Sequence, residues 1–463
     1  MTATTTGSVL DILERSAGDA GRKILLRGGY VLSVDPTIGD LTCDVLIEGG
    51  IIAAVGHDVH VGDGVIDIDV SESIVMPGMV DAHLHAWEGQ LRSLAPDLSL
   101  EDYTTLVHHR LGPSYRAEDM LIGNFITALQ CLNAGVTCFI DSSHNSRSVD
   151  HSNAAVEGLR RAGIRAVHAS GAPIAGRWDE QWPDDLHRLR KEYFSSNDQL
   201  LTLRMFAPMP HPDTWAFAQR NGLRVSTEMG GWFWSASLVE LLGEHHTFNH
   251  CAGLSSEAWA AIRDAGVTVN VCPRSDTTFG IGPSTLPIDQ AIHYGLRPGL
   301  SMDNEICYGI DMFSEMRMLL HLQRAAALRR RAEQQDGPAP IDVRDVLEFA
   351  TLGGAANAGL DHRIGSLKPG KAADVIVLRT DAVNTMPLAS VIGGAVSFVN
   401  ASNVDAVFVA GQVRKWNGVL VGHDLAAVRR MAEASREHVL EASAVQLERF
   451  LPVSHARTAT GHR

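Results

Sequence analysis

Gly135-Val136-Thr137-Cys138-Phe139-Ile140-Asp141 packs a helix-closing glycine, a buried strand and a terminal carboxylate into one short stretch. The unit recurs along the chain. Gly163-Ile164-Arg165-Ala166-Val167-His168 and Gly222-Leu223-Arg224-Val225-Ser226-Thr227 keep its order. So do Gly266-Val267-Thr268-Val269-Asn270-Val271-Cys272 and Gly295-Leu296-Arg297-Pro298-Gly299-Leu300-Ser301. Glycine enters the left-handed conformation that ends a helix, and a β-branched run then packs as a strand. Alternation of this kind over 76–360 predicts an α/β fold, a (β/α)8 TIM-type barrel. Functional side chains of such a barrel belong at the C-terminal strand ends. The polar endings found here are His85, Asp141, His168, Glu228, His250 and Asp303.

The flanks read differently. Ile24-Leu25-Leu26-Arg27, Tyr30-Val31-Leu32, Asp44-Val45-Leu46-Ile47 and Ile51-Ile52-Ala53-Ala54-Val55 are short strands separated by Gly28-Gly29 and Gly49-Gly50. Ala373-Asp374-Val375-Ile376-Val377-Leu378 and Val404-Asp405-Ala406-Val407-Phe408-Val409 share that texture. The expectation is a small β-sandwich domain assembled from 1–75 and 361–420, with 1–22 as an N-terminal extension. A short helix is expected over 8–20, and a C-terminal helix and tail over 421–463.

A chain of 463 residues suits a large barrel with an accessory domain. Its formal charge of −15 argues against a nucleic-acid partner, which needs a basic face. Six cysteines without CxxC spacing read as reduced thiols rather than a disulfide framework. No stretch approaches the ~18 apolar residues of a membrane span. The opening Met1-Thr2-Ala3-Thr4-Thr5-Thr6-Gly7 lacks the basic and apolar regions of a signal peptide. The expected setting is the cytoplasm, with a small-molecule substrate and no membrane.

His83-Leu84-His85 ends the first strand of the barrel region. Side chains two apart on a strand face the same way, so both imidazoles enter one space. Converging neutral imidazoles form a site acceptable to zinc, iron(II) or manganese(II).

Further segments extend the pattern: Pro77-Gly78-Met79-Val80-Asp81-Ala82-His83-Leu84-His85, Asn249-His250-Cys251-Ala252-Gly253, Cys272-Pro273-Arg274-Ser275, Ser301-Met302-Asp303-Asn304 and Ile364-Gly365-Ser366-Leu367-Lys368-Pro369-Gly370-Lys371-Ala372-Ala373-Asp374. Together they resemble the amidohydrolase superfamily, in its branch of cytosine and guanine deaminases and triazine chlorohydrolases. The resemblance implies that His83, His85 and Asp303 bind one divalent metal ion, zinc first among the choices. It also implies that Asp303 takes a proton from the attacking water and that His250 holds substrate or water. A homo-oligomer, dimer or tetramer, is implied on the same ground. No lysine ends the fourth strand, which disfavours a carbamylated lysine bridging two metals.

One motif departs. This branch carries a histidine at the end of the fifth strand and a glutamate three residues later. Counted from Gly222, Glu228 falls in the histidine register and Gly231 in that of the glutamate. In the other alignment Glu228 is the acid and Val225 stands in the ligand position. The first is preferred, because Glu228 lies at the strand's polar end. His2Glu is an established zinc donor set, so Glu228 serves as a ligand or as an acid–base group. A second carboxylate beside Asp303 lowers the Lewis acidity of the ion, and loss of the shuttle removes help worth ~10²–10⁴ in rate. That argues against ordinary cytosine or guanine deamination.

Other groups lie at the expected rim. His144, His168, His211 and Asp276 are candidates for a relocated acid, with packed polar rim groups as the alternative. Trp87, Arg92, Asn304 and Trp232 are candidate substrate contacts, Trp232 beginning the cluster Trp232-Phe233-Trp234. Glu305 beside Asn304 is a further one. The reading is a mononuclear metal-dependent hydrolase of a C–N or C–X bond in a small cyclic or aromatic compound. The alternatives are a non-hydrolytic lyase, decarboxylase or isomerase on this scaffold, and a binding scaffold that has lost its metal.

Overall fold

A computed structural model describes residues 6–179, 182–281 and 287–445. Eight parallel strands form the expected barrel: Met79–Leu84, Val136–Ser143, Arg165–Ser170, Leu201–Ala207, Val225–Gly230, His246–Ala252, Thr268–Val271 and Gly299–Leu300. They hydrogen-bond in sequence order. The eighth strand then closes on the first just beyond its own end. Asp303 N–H donates to the His83 carbonyl (3.0 Å) and His85 N–H donates to the Asp303 carbonyl (2.8 Å). Asp81 braces the same seam, its carboxylate accepting from the backbone N–H groups of His83 (2.9 Å) and Met302 (3.2 Å).

Alternation decides which side chains enter the barrel. Val80, Cys138, Ile140, Val167, Ala169 and Phe206 meet in one cluster inside it. Phe139, Ala166, Val225 and Phe248 face outward into the layer beneath the helices.

Nine strands from both ends of the chain join in a second sheet. The seam between the two ends is Ser73–Pro77, parallel to Tyr30 and Val31 on one side and antiparallel to Val375–Arg379 on the other. Ile52, near one end of the strand order, and Val413, near the other, share a core with Leu26, Val45, Val375 and Phe408. The sheet therefore curls around its own apolar interior. Thr6–Arg15 is helical, shorter than the span of 8–20 expected. Beyond it the backbone turns at Ser16–Asp19, and Arg22 donates to the Leu13 carbonyl (2.9 Å), fastening the helix end.

Arg165 and Asp374 join sheet and barrel. The guanidinium at the start of the third barrel strand donates to both carboxylate oxygens (2.7 and 2.9 Å), and both side chains are almost fully buried. Asp374 also accepts from Ala410 N–H, and its carbonyl accepts from Gly78 N–H. On the outside, Leu425–Ser443 packs on the helix Ala117–Asn133, where Ser435 Oγ donates to buried Asp119 (2.7 Å). The expected tail over 446–463 lies outside the described residues. Among the described residues no helix is long and apolar enough to cross a membrane.

Removing one partner of a buried pair strands the other charge, at a cost of about 3–5 kcal/mol. Asp374→Asn should lower the urea midpoint accordingly, whereas Glu433→Ala, which breaks an exposed helix pair, should leave it in place.

Candidate metal centre

His83, His85, Glu228, His250 and Asp303 converge at the C-terminal mouth of the barrel. His83 Nε2 lies 3.1 Å from Asp303 Oδ1 and 3.4 Å from Glu228 Oε1, and His85 Nε2 lies 3.3 Å from Asp303 Oδ1. Donors bound ~2.0–2.1 Å from one tetrahedral ion would sit roughly 3.3–3.4 Å apart, close to these separations. Ligand atoms of His83, His85 and Glu228 lie within 4.8 Å of one another, as do those of His83, His250 and Asp303.

The imidazoles are oriented from behind. Nδ1 of His83 lies 2.9 Å from Ser142 Oγ and 3.0 Å from the Asn249 amide. Nδ1 of His85 lies 3.3 Å from the Ser142 carbonyl and 3.0 Å from His144 Nε2, which holds the ring from behind with Nε2 toward Asp303. Nε2 of His83 is buried and makes no hydrogen bond. A buried, unpartnered imidazole nitrogen beside two carboxylates is what an ion would satisfy, and these residues fit a divalent metal.

The charges agree with that fit. Burial pushes Glu228 up, but His83 and a hydrogen bond from His250 outweigh it and hold the carboxyl at about 2. Burial likewise opposes ionisation of Asp303, and the two histidines hold it well below the usual carboxylate range. Burial disfavours charge on His85, yet its hydrogen bond to Asp303 carries it up to about 9. The carboxylates thus draw positive charge inward. Ser275 Oγ and Asn304 Nδ2 donate to the other oxygen of Asp303, leaving Oδ1 toward the histidines.

His250 faces Glu228 Oε2 through Nε2 (3.2 Å) and donates from Nδ1 to Asp276 Oδ1 (2.7 Å). Asp276 is anchored in turn by Cys272 N–H. Both His250 and Asp303 take left-handed backbone, with φ of 64° and 65°. Held strain of this kind costs ~1–3 kcal/mol per residue and persists only where the surroundings enforce it.

A cavity of about 200 Å³ opens over these groups. Its walls are mostly apolar or aromatic: Leu100, Tyr103, Phe206, Trp232, Phe233 and Phe279. His108 and His144 supply the polar part of the wall. Burial, with His85 adding to it, pushes His108 down to about 3 and His144 well below the ordinary histidine value. Both rings are therefore neutral at physiological pH.

The remaining candidates are placed as follows. His144 and Trp232 line the cavity, and Asp276 lies behind His250. Five do not line it. His168 points outward from its strand, bonds Asp141 (2.8 Å) and stacks on Phe194. Trp87 is fully buried behind His144. Arg92 pairs with buried Glu305 (2.8 Å). Asn304 is buried and contacts Asp303 and Tyr308. His211 precedes a helix on the exposed surface. The loop residues Leu100, Tyr103, His108 and Phe279 carry no signal in the sequence, since only folding brings them over the strand ends. Asn249 and Ser275 were visible within quoted segments, but their orienting role was not.

The fifth strand resolves the register. Glu228 points inward, whereas Val225 is buried in the outer layer with Phe248 and Trp215. A Cβ built on Gly231 would lie 1.9 Å from the Gly253 carbonyl oxygen, so this backbone admits no side chain there.

Residues 226–414 match the model of the amidohydrolase family. That match, together with the relatives below, supports the amidohydrolase superfamily. The chain is 27% identical to a 5-methylthioadenosine/S-adenosylhomocysteine deaminase of Desulforudis audaxviator, across 90% of its own length and 99% of that protein. It is 26% identical to a 5'-deoxyadenosine deaminase of Methanothermobacter thermautotrophicus, across 89% and 97%. Its fold matches a zinc-bound adenosine deaminase from Xanthomonas campestris (TM-score 0.78, 22% identity, 91% and 99% covered). It also matches a mutant atrazine chlorohydrolase from Arthrobacter aurescens complexed with zinc and atraton (TM-score 0.75, 19% identity, 90% and 100% covered).

Gly231→Glu should not restore a proton shuttle. The substitution is expected to lower the thermal midpoint while Gly231→Ala already does so, because the collision begins at Cβ; an undisturbed Gly231→Ala midpoint would contradict the close approach.

Proposed function

We propose that this chain is a mononuclear metal-dependent hydrolase cleaving a C–N bond (amide, amidine, urea- or carbamate-like) or a C–X bond of a small cyclic or aromatic compound. The observation that carries the proposal is the convergence of His83, His85, Glu228 and Asp303 beneath an apolar cavity. Relatives named as deaminases and a structural neighbour named as a chlorohydrolase support the class. Zinc is the ion proposed, since both cited structural neighbours contain it. The six free, buried cysteines suit a cytoplasmic setting.

A divalent ion in this donor set supplies Lewis acidity, which turns water into a nucleophile near neutral pH. His83, His85 and Glu228 hold the ion. Asp303 is the base: Oδ1 faces the histidines, and Ser275 and Asn304 fix Oδ2 so that the carboxylate cannot swing away. The proton taken from water stays on Asp303 until the leaving group departs. His250, with its ring set by Asp276, presents Nε2 to the substrate's electrophilic group and stabilises the charge that develops there. Phe206, Trp232, Phe233 and Phe279 exclude water and provide faces for a ring. Without a glutamate at Gly231, the chemistry favours substrates whose leaving group needs little protonation, such as ureas, carbamates or halo-heterocycles.

The purified chain should carry about one equivalent of divalent metal by plasma mass spectrometry, and His83→Ala and Glu228→Ala should lose it. A parent that stays empty after reconstitution would sink the proposal. With a substrate found by screening, product formed in H₂¹⁸O should contain the label; unlabelled product would replace hydrolysis with lyase or isomerase chemistry.

Asp303→Asn should cut kcat by about 10²–10⁴. Asp276→Asn should cut it by about 10–100-fold with metal content unchanged, and a parallel loss of metal would instead make His250 a ligand.

A further inference from the structure

The opposite end of the barrel has no assigned role, and its chemistry is the reverse of the metal centre's. A cavity of about 460 Å³ there is lined by Arg190, Arg204, Arg224 and His362, together with hydroxyl and amide groups of Ser196, Asn197 and Thr202. Arg204 enters it from the fourth strand. Only 1% of this residue is exposed, yet it has no carboxylate partner. Its Nη1 donates to Ser226 Oγ (3.0 Å) and Thr247 Oγ1 (3.1 Å), and Nη2 donates to the Asn357 carbonyl (2.6 Å). Nε is buried with nothing to donate to, and the same holds for Nε of Arg224.

Guanidinium does not solve burial by giving up its proton, because its intrinsic pKa exceeds 12. Burial and the nearby Arg224 both push Arg204 well below that value, which records how unfavourable the charge is where it stands. Among the described residues the one carboxylate on the cavity wall, Asp198, is 97% exposed and leans to Arg363 instead (3.8 Å). Asp361 and Glu244 act on Arg224 only at longer range. Neither Arg204 nor Arg224 makes an ion pair among the described residues. An uncompensated buried cation costs several kcal/mol, and clustering like charges adds to the cost. A chain of net charge −15 repels anions overall, so a concentrated cationic cavity is no accident of composition.

We propose that this cavity is an anion site for a phosphate group, inorganic phosphate or a small phosphomonoester, held by Arg204, Arg224 and Arg190 at the barrel floor. Planar guanidinium forks suit phosphate oxygens, and Ser196 and Thr202 add neutral donors. The site is separate from the metal centre. Arg204 and Phe206 both face inward on one strand, and Phe206 stands between the two ends with its ring stacked on His144.

The test is thermal unfolding of the metal-loaded protein during titration with inorganic phosphate or glycerol phosphate, against chloride at matched ionic strength. A saturable rise of roughly 1–3 °C is expected. In Arg224→Gln the rise should shrink at least about fivefold, while the midpoint in chloride holds or increases because a like-charge neighbour of Arg204 is gone. His83→Ala should keep the full rise, which separates the floor from any oxyanion binding at the metal. Tighter binding of the ester than of phosphate would identify an organic ligand, and the reverse order the free ion; both support the site. No saturable rise with either, or a rise retained in Arg224→Gln, overturns it.

Discussion

Two backbone hydrogen bonds, between Asp303 and the residues flanking Leu84, close the barrel and set Asp303 beside His83 and His85 in the same act. The eighth strand is short, Gly299–Leu300, and its pairing with the first is finished by Asp303 itself. A carboxylate at this point cannot drift from the imidazoles of His83 and His85, because its own N–H and carbonyl are bonded to those residues. Left-handed backbone at Asp303 lets its main chain bond the first strand while its carboxylate turns to the histidines. Asp81 and Ser301 secure the seam beneath it. Any loosening of closure is therefore felt at the site before it is felt elsewhere.

Substituting carboxylate for imidazole changes the charge on the site. In the proposed donor set, His83, His85, Glu228 and Asp303 would sum to zero around a divalent cation, where three imidazoles and one aspartate would leave one positive charge. A neutral centre is easier to bury, which suits the apolar wall above it. It would also withdraw less charge from water, so that set would generate the nucleophile less readily. Asp303 compensates in part, since Ser275 and Asn304 fix it as a base already in position. The close approach of Gly231 to Gly253 leaves this backbone no room for a side chain at the position where the resemblance places a glutamate.

How far these features could be read from sequence depends on the distance over which each is determined. Glycine followed by a β-branched run is local, and it located the barrel strands. His83-Leu84-His85 is also local, and alternation alone brings both rings to one space. Glu228 needed one further fact, the direction of the fifth strand, which the outward burial of Val225 supplies. His168 was misplaced because a polar strand end does not say which face the residue takes. In register with Asp141, it lies on the outer side of the barrel, where its Nδ1 bonds Asp141 Oδ2. Arg92 and Trp87 follow His85 closely in sequence, but the intervening helical turn, Ala86–Leu91, rotates them behind the site. The cavity wall from Leu100 to His108 was illegible, since nothing local fixes where that helical segment lands.

The fourth strand shows how one element can serve two opposed electrostatic environments. Thr202, Arg204 and Phe206 alternate with outward residues such as Met205, so all three face the barrel interior at successive heights. Phe206 meets the metal centre, and Arg204 meets the floor. A charged residue at an inward position of a small barrel normally needs a partner in the layers above or below. Here the layer above is apolar, with Val167 and Phe206, and the layer around is hydroxyl and carbonyl. Those dipoles solvate the guanidinium but do not neutralise it. Only the cavity remains as a source of negative charge, and it opens to solvent between Arg190, Arg224 and His362. The same argument that assigns a cation to the orphaned nitrogen of His83 therefore assigns an anion to the orphaned nitrogen of Arg204.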